Sequence, residues 1–342
     1  MIKKLGLVGC GTVGSGLLEL LDRRADYIAG KYGVSFKLLF ATDTAKGTAF
    51  WKEGLDPRAL LEILESGGSI DVFSPGGPKD LASLLEEAKP DIICEATPTN
   101  YETGEPGMSI MTEALASGAN VVSCSKGALS RDMAGLKVLA VSKRLSLRFE
   151  SSVMSGTPLL SLIRGPMAGC EISKIEGILN GTTNFILTKM EEGMDYGEAL
   201  AEATRLGYAE ANPEGDVEGF DAAVKVCILA AEIFGTPLRL EDVHRRGITR
   251  VQREDIERAA ATREKIKLVA GVKKEGDSVI GYVSPEFVRL DNPLASVSGV
   301  TNAVSITTDN LGVVTVTGPG AGKIQTAQGL LSDMLSIARE QL

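Results

Sequence analysis

Apolar and polar positions alternate along this chain in two textures. KLGLVG at 4–9 is a short apolar run that ends in glycines, and LLELLDRRADYIA after it repeats its apolar positions with the period of a helix lying on a core. FKLLFATD at 36–43 predicts a second strand. LEILESG and LASLLEEAKP predict two helices separated by the turn-rich DVFSPGGP, and DIICEAT at 91–97 a further strand. The helix MTEALASG then leads into the strand ANVVSCS. Strands that take turns with helices predict an α/β architecture, a doubly wound parallel sheet.

After residue 150 the pattern changes. LSLRFESSV and SKIEGILNG read as strands, FILTKMEEG and DYGEALAEATRLG as helices, and AAVKVCILAAEIFG as a strongly apolar helix. Strand-like runs follow at 278–290 and 303–317. The closing segment, KIQTAQGLLSDMLSIAREQL, is a helix with a clear apolar stripe. This predicts a first domain over 1–135 that the C-terminal helix (about 318–342) rejoins, and an α+β second domain over 136–317. No internal repeat or low-complexity tract interrupts them.

The length of 342 residues agrees with two domains. The net charge of -9 repels phosphate backbones, so a nucleic-acid partner is not expected. Arg245, Arg246, Arg250 and Arg253 are followed at once by acids and read as a solvated helix face. Five cysteines, odd in number and without a CxxC, read as reduced thiols. The N-terminal apolar stretch is too short for a signal peptide, and no apolar run reaches the length of a bilayer span. These features predict a cytoplasmic protein with no membrane partner. His244 is the sole histidine, and in LEDVHRRGITR it reads as a surface helix residue. Mechanisms built on several histidines are thereby excluded.

Four segments carry candidate chemistry. The first is Gly9-Cys10-Gly11-Thr12-Val13-Gly14, a GxGxxG that follows a strand and opens a helix at the head of the alternating region. Such glycines permit a tight turn and let the backbone approach a pyrophosphate, which then sits at the positive helix end. This makes the first domain a Rossmann-type dinucleotide-binding candidate, with Gly9, Gly11, Thr12, Val13 and Gly14 at the cofactor. The second strand ends at Asp43, further along than the usual spacing of about 20 residues. An acid here reads a ribose 2′-hydroxyl and favours NAD, whereas Thr42 and Lys46 suit the phosphate of NADP; a plain turn aspartate stays an alternative. The third segment, Val121 to Gly127, brings Cys124 and Lys126 to the end of a strand, where open α/β sheets bind ligands. Cys124 would serve as an acylating nucleophile only with a base to form the thiolate, so a buried inert thiol is the better reading and Lys126 the better candidate for chemistry. The fourth, 206–225, gathers Glu210, Asp216, Glu218, Asp221 and Lys225. Asp221 and Lys225 are four apart and share a helix face, and Lys225 enters an apolar helix, where a lysine either snorkels or functions.

The segment Glu176-Gly177-Ile178-Leu179-Asn180-Gly181-Thr182-Thr183-Asn184 resembles the substrate loop of homoserine dehydrogenases. Leu206-Gly207-Tyr208-Ala209-Glu210 with Asp216 to Lys225 resembles that family's catalytic segment, and Gly318-Pro319-Gly320-Ala321-Gly322 with Thr326-Ala327 its C-terminal cofactor motif. With the N-terminal GxGxxG, the likeness runs in order along nearly the whole chain, in the short form without a threonine-responsive regulatory domain. It implies NAD(P)-dependent interconversion of L-aspartate 4-semialdehyde and L-homoserine, in the biosynthesis of threonine, methionine and isoleucine. The resemblance makes Lys225 the proton donor to the aldehyde oxygen and places Lys126 by the nicotinamide and that oxygen. Glu210 and Asp221 would hold the substrate ammonium, with Tyr208, Gly181 and Thr182 nearby, and Thr97 and Gly322 would touch the cofactor. Glu150 to Thr157 resembles the family's monovalent-cation loop, so Glu150 and the carbonyls of Val153, Ser155 and Thr157 are the expected sodium ligands. Ser125 stands where an asparagine is common. The second domain is expected to form a homodimer and to carry the catalytic residues.

Three other readings compete. They are another amino-acid NAD(P) dehydrogenase, a dinucleotide sensor without catalysis, and an acylating aldehyde dehydrogenase acting through Cys124. The GILNGTTN segment opposes the first, the two lysines the second, and the missing base the third.

Overall fold

A computed structural model describes residues 1–74, 76–210 and 212–340. Pro75 of the expected turn, Ala211 of the segment 206–225 and the last two residues of the expected C-terminal helix lie outside it. The chain divides into two compact units, Met1–Gly156 with Ala321–Leu342, and Thr157–Gly320.

The first unit runs β1 (Ile2–Val8), α1 (Thr12–Tyr32), β2 (Ser35–Asp43), β3 (Gly47–Phe50), α2 (Pro57–Glu65), α3 (Leu81–Ala88), β4 (Ile92–Glu95), α4 (Gly107–Ser117), β5 (Asn120–Ser123), α5 (Lys126–Ser142), β6 (Leu147–Arg148) and α6 (Ser151–Met154), and ends in the C-terminal helix Lys323–Glu340. Its sheet has the order β3-β2-β1-β4-β5-β6. All pairs are parallel except β2–β3, a hairpin. The strand order reverses between β1 and β4, the crevice where such sheets bind ligands. β1 and β4 are buried nearly throughout, as expected of strands covered on both faces. Leu5, Leu7, Leu17, Leu18 and Ile92 share one core with Leu330, Met334 and Ile337 of the C-terminal helix. That helix therefore rejoins the first unit, and Lys323 pairs with Glu19 of α1 at 3.0 Å.

The second unit contains α7 (Leu160–Arg164), β7 (Ile172–Ile178), α8 (Gly181–Glu191), α9 (Tyr196–Arg205), α10 (Glu214–Val217), α11 (Phe220–Ile233), β8 (His244–Arg245), α12 (Arg253–Ala261), β9 (Glu264–Glu275), β10 (Ser278–Arg289), β11 (Thr301–Thr308) and β12 (Val313–Pro319). Its sheet has the order β12-β11-β7-β9-β10-β8, antiparallel apart from the β8–β10 pair. Helices α8, α11 and α12 pack on its central strands. Ile175, Ile266 and Leu268 are buried, whereas Lys174 and Glu176 are only partly covered. This is the expected α+β architecture.

Three local expectations change. The run LSLRFESSV yields only the short β6 and then turns into α6, because the Glu150 amide donates to the buried Asp333 carboxylate at 2.8 Å and Ser151 Oγ to the Thr326 carbonyl at 2.8 Å. These bonds replace a strand ladder. The boundary expected at 135 falls inside α5; β6 pairs with β5 and carries the first unit to Gly156, while the return begins at Ala321. His244 is exposed as expected but sits on a short strand opposite Tyr282, not on a helix. Of the arginines around it, Arg245 lies over the Phe220 ring at 3.5 Å, and Arg253 starts α12.

Candidate active site

In the first unit, β1 delivers its glycine turn directly to α1. Gly9 takes a positive φ of 96°, and a Cβ on Gly14 would lie 2.0 Å from the Gly9 carbonyl oxygen, so that closeness excludes a side chain. Space beside Gly11 is open, Thr12 is exposed, and α1 has neither a side-chain cap nor an acid in its first turn. The uncapped amides at this helix start have the form of an anion cradle, so the turn fits a dinucleotide pyrophosphate. Asp43, at the end of β2, accepts from Cys10 N at 2.8 Å through Oδ2 and from Ala45 N and Lys46 N at 2.9 and 3.2 Å through Oδ1. Lys46 Nζ donates to the Cys10 carbonyl at 2.5 Å. Asp43 and the glycine turn are thus one unit of structure. Val13 is half-buried against the core, and Gly322, at φ 125°, precedes the C-terminal helix, whose Thr326 N donates back to its carbonyl at 2.9 Å.

Glu95 was not anticipated. It ends β4, is wholly buried, and accepts from Thr97 N at 2.9 Å, from the Thr97 hydroxyl, and from Ser123 Oγ at 2.5 Å. Burial pushes its carboxyl above the ordinary glutamate range, while the bonds from Ser123 and Thr97 pull it back. Lys126 follows as the first residue of α5 and is half-buried. Cys124 lies against the core, and burial raises its thiol to about 12, so almost no thiolate forms near neutrality. This argues against its use as an acylating nucleophile.

In the second unit, Asn180 organises a buried polar centre. Its side-chain oxygen caps α8 by accepting from Thr183 N at 2.9 Å, which leaves its Nδ2 to donate to Asp216 Oδ1 at 2.7 Å and Asp221 Oδ2 at 3.1 Å. Asp221, in the first turn of α11, also accepts from Lys225 Nζ at 2.7 Å. The Lys225 ammonium donates in addition to the Leu179 carbonyl at 2.6 Å, with only 6% of the residue exposed. An isolated buried ammonium costs several kcal/mol, so this pairing is what keeps the cation inside the helix packing. Burial raises the Asp216 carboxyl above its usual range, against the bond from Asn180. Gly181 lets α8 start close to Val300, whose carbonyl would lie 2.7 Å from an added Cβ. Thr182 donates to the Tyr208 carbonyl at 2.8 Å, and the Tyr208 ring rests 5.0 Å from that of Phe185.

The structure therefore joins Lys225 and Asp221 directly, and Thr182 with Tyr208. Glu210 is exposed in the connection between α9 and α10. Asn180 and Asp216 were read only as part of their motifs; their partners lie 36 and 41 residues apart in sequence, which no local pattern reports. Of the expected cation ligands, Glu150, Val153 and Ser155 are buried at α6 in the first unit, where Ser155 has a φ of 53°, and Thr157 begins the second.

A glycine turn on a parallel sheet, followed by an α+β unit with a paired buried lysine, defines a two-unit nicotinamide-dependent oxidoreductase. The comparisons with known proteins narrow this. The sequence family described as "Homoserine dehydrogenase, NAD binding domain" matches residues 9–149, and "Homoserine dehydrogenase" matches 158–335. The NAD(+)-dependent homoserine dehydrogenase of Pseudomonas canavaninivorans is 42% identical over 98% of this chain and 96% of its own. The homoserine dehydrogenase of Methanocaldococcus jannaschii is 38% identical over 97% of each chain. The solved structure of a hyperthermophilic archaeal homoserine dehydrogenase in complex with NADPH is 32% identical and superposes with a TM-score of 0.83, over 99% of this chain and 98% of that one. The chain belongs to the homoserine dehydrogenase family, NAD(P)-dependent oxidoreductases acting on a CH–OH group.

Proposed function

We propose that this chain oxidises L-homoserine to L-aspartate 4-semialdehyde and catalyses the reverse reduction, with the Lys225–Asp221–Asn180 centre of the second unit as the seat of proton transfer. The observation that carries the reading is a buried lysine held by a carboxylate and a carbonyl at 2.7 and 2.6 Å, in a chain whose relatives are homoserine dehydrogenases. Bound at the glycine turn, the nicotinamide dinucleotide supplies or accepts the hydride. During reduction the carbonyl oxygen gains negative charge, and the Lys225 ammonium stabilises and protonates it; during oxidation the neutral amine takes the hydroxyl proton. Asp221 orients Lys225, and Asp221 with Glu210 offers the carboxylates that suit the substrate ammonium. Tyr208, Thr182 and Gly181 border that pocket, Lys126 is assigned to the place where the nicotinamide meets the substrate oxygen, and Thr97 and Gly322 are assigned to the dinucleotide. Formation of NADH or NADPH on addition of L-homoserine tests the reading, and its absence from dinucleotide-binding protein contradicts it.

Asp43 favours NAD, since a carboxylate fixed on the glycine turn repels a 2′-phosphate. Asp43→Ser shifts the ratio of kcat/KM toward NADP by about tenfold, the equivalent of about 1.4 kcal/mol. Steady-state rates with both cofactors check this, and an unchanged ratio overturns it.

Two further assignments follow the family. Glu150 with the carbonyls of Val153, Ser155 and Thr157 offers the oxygen donors a sodium ion prefers, and turnover in sodium against choline salt tests that site. The second sheet carries Lys174, Glu176, Tyr282 and Glu286 along a groove of about 620 Å³. The family resemblance carries the expectation of a homodimer formed through the second unit, and sedimentation at the mass of a single chain contradicts it. Among the described residues no helix is long and apolar enough to cross a membrane. We assign the enzyme to the cytoplasm, which fractionation of the source cells tests.

A further inference from the structure

The geometry points to Glu95 as a positioning residue that ties the dinucleotide-side loop after β4 to the helix start that carries Lys126. This role rests on the proposed function and deepens it.

Glu95 is the last residue of β4, and its side chain is wholly buried. One carboxylate oxygen accepts from both the backbone amide and the hydroxyl of Thr97, which fixes the first turn of the loop that leaves β4. The other accepts from Ser123 Oγ, the last side chain of β5. Ser123 Oγ in turn accepts from Ser125 N at 2.9 Å. Ser125 is the N-cap of α5, makes no side-chain cap bond, and is followed by Lys126. The chain of bonds thus runs Thr97, Glu95, Ser123, Ser125, with Lys126 next in sequence. A second set of close contacts holds the same two segments: a Cβ on Gly127 would lie 2.1 Å from the Asn100 carbonyl, and one on Gly107 would lie 2.7 Å from Ser125 Oγ.

A buried carboxylate costs free energy unless donors compensate it. The sheet interior here could have been filled by an apolar residue, as Ile92, Ile93 and Cys94 fill it just before. The strand ends at the crevice where open sheets bind ligands, so the carboxylate is spent on geometry at that edge. Glu95 touches neither substrate nor cofactor in this role; it acts through Thr97 on one side and through Ser123 and Ser125 on the other.

The two arms separate experimentally. Ser123→Ala cuts the arm toward Lys126 and leaves the Thr97 arm whole. In the full chain we expect kcat with L-homoserine to fall by about 10- to 100-fold, while the Kd for NADH, read by fluorescence titration, stays within about twofold. Glu95→Ala weakens NADH binding as well as kcat. Glu95→Gln restores part of both, because its amide can accept from Thr97 and donate to Ser123. If Glu95→Ala fails to fold, Ser123→Ala still decides the matter. Ser123→Ala with wild-type kcat overturns the role, and so does a variant that loses kcat and NADH affinity in equal measure together with its melting temperature. A wild type that binds NADH without turning over homoserine contradicts the functional reading itself, whereas a wild type that turns over beside an unaffected Ser123→Ala contradicts only the role of Glu95.

Discussion

Lys225→Ala lowers kcat for homoserine oxidation by about 10²- to 10⁴-fold, the range carried by a positioned acid or base. The Kd for NADH stays near the wild-type value, since the glycine turn belongs to another part of the chain. Two effects have to be separated here. Removing the ammonium deletes the proton carrier, and it also strips Asp221 of that cation, while the bond from Asn180 stays. The second effect perturbs substrate binding and raises KM for homoserine. Lys225→Arg keeps the charge but exchanges a compact ammonium for a planar guanidinium in a site with 6% exposure, so it restores stability better than turnover. Steady-state kinetics and thermal melts together check the pair. A Lys225→Ala enzyme within tenfold of wild type would mean that the proton moves by another route.

Gly14→Ala abolishes useful dinucleotide binding. The added methyl would sit 2.0 Å from the Gly9 oxygen and 3.0 Å from its carbonyl carbon, both backbone atoms, so the turn must move by about an ångström or more. A displacement of that size costs about 100-fold in a positioned site, and the overpacking destabilises the fold by about 1–3 kcal/mol. Gly11→Ala is the control, because nothing lies within 4 Å of its Cβ direction in the protein alone. It leaves the melting temperature unchanged and acts only through the ligand. Isothermal titration with NADH and a melting curve for each variant check this pair. Equal melting temperatures for wild type and Gly14→Ala would contradict the clash.

Much of this was legible along the chain. The parallel sheet showed in β1, β2, β4 and β5 because each is a short apolar run bounded by turn residues. Lys225 and Asp221 showed because a helix places residues four apart on one face. Glu95 left a faint signal, a single acid closing the apolar run IIC, and its partners at 97 and 123 come together only once β4 and β5 pair. β9 went unread since EKIKLVAGVKKE carries charges on both faces of a strand; Lys267 is wholly buried there and pairs with Glu191 of α8 at 2.9 Å. Its apolar content is too low for a core strand until that ion pair is counted. Tertiary capping likewise decided α6, where Asp333 arrives from 183 residues away to take the Glu150 amide.

The most direct test follows an isotope. L-Homoserine carrying deuterium on its hydroxyl-bearing carbon, incubated with the enzyme and NAD, should yield NADH labelled at the nicotinamide and L-aspartate 4-semialdehyde in equal amounts. The Lys225→Ala enzyme should yield almost none of either. Label that stays on homoserine with wild-type protein, or that is transferred as fast by the variant, would contradict hydride transfer governed by the Lys225 centre.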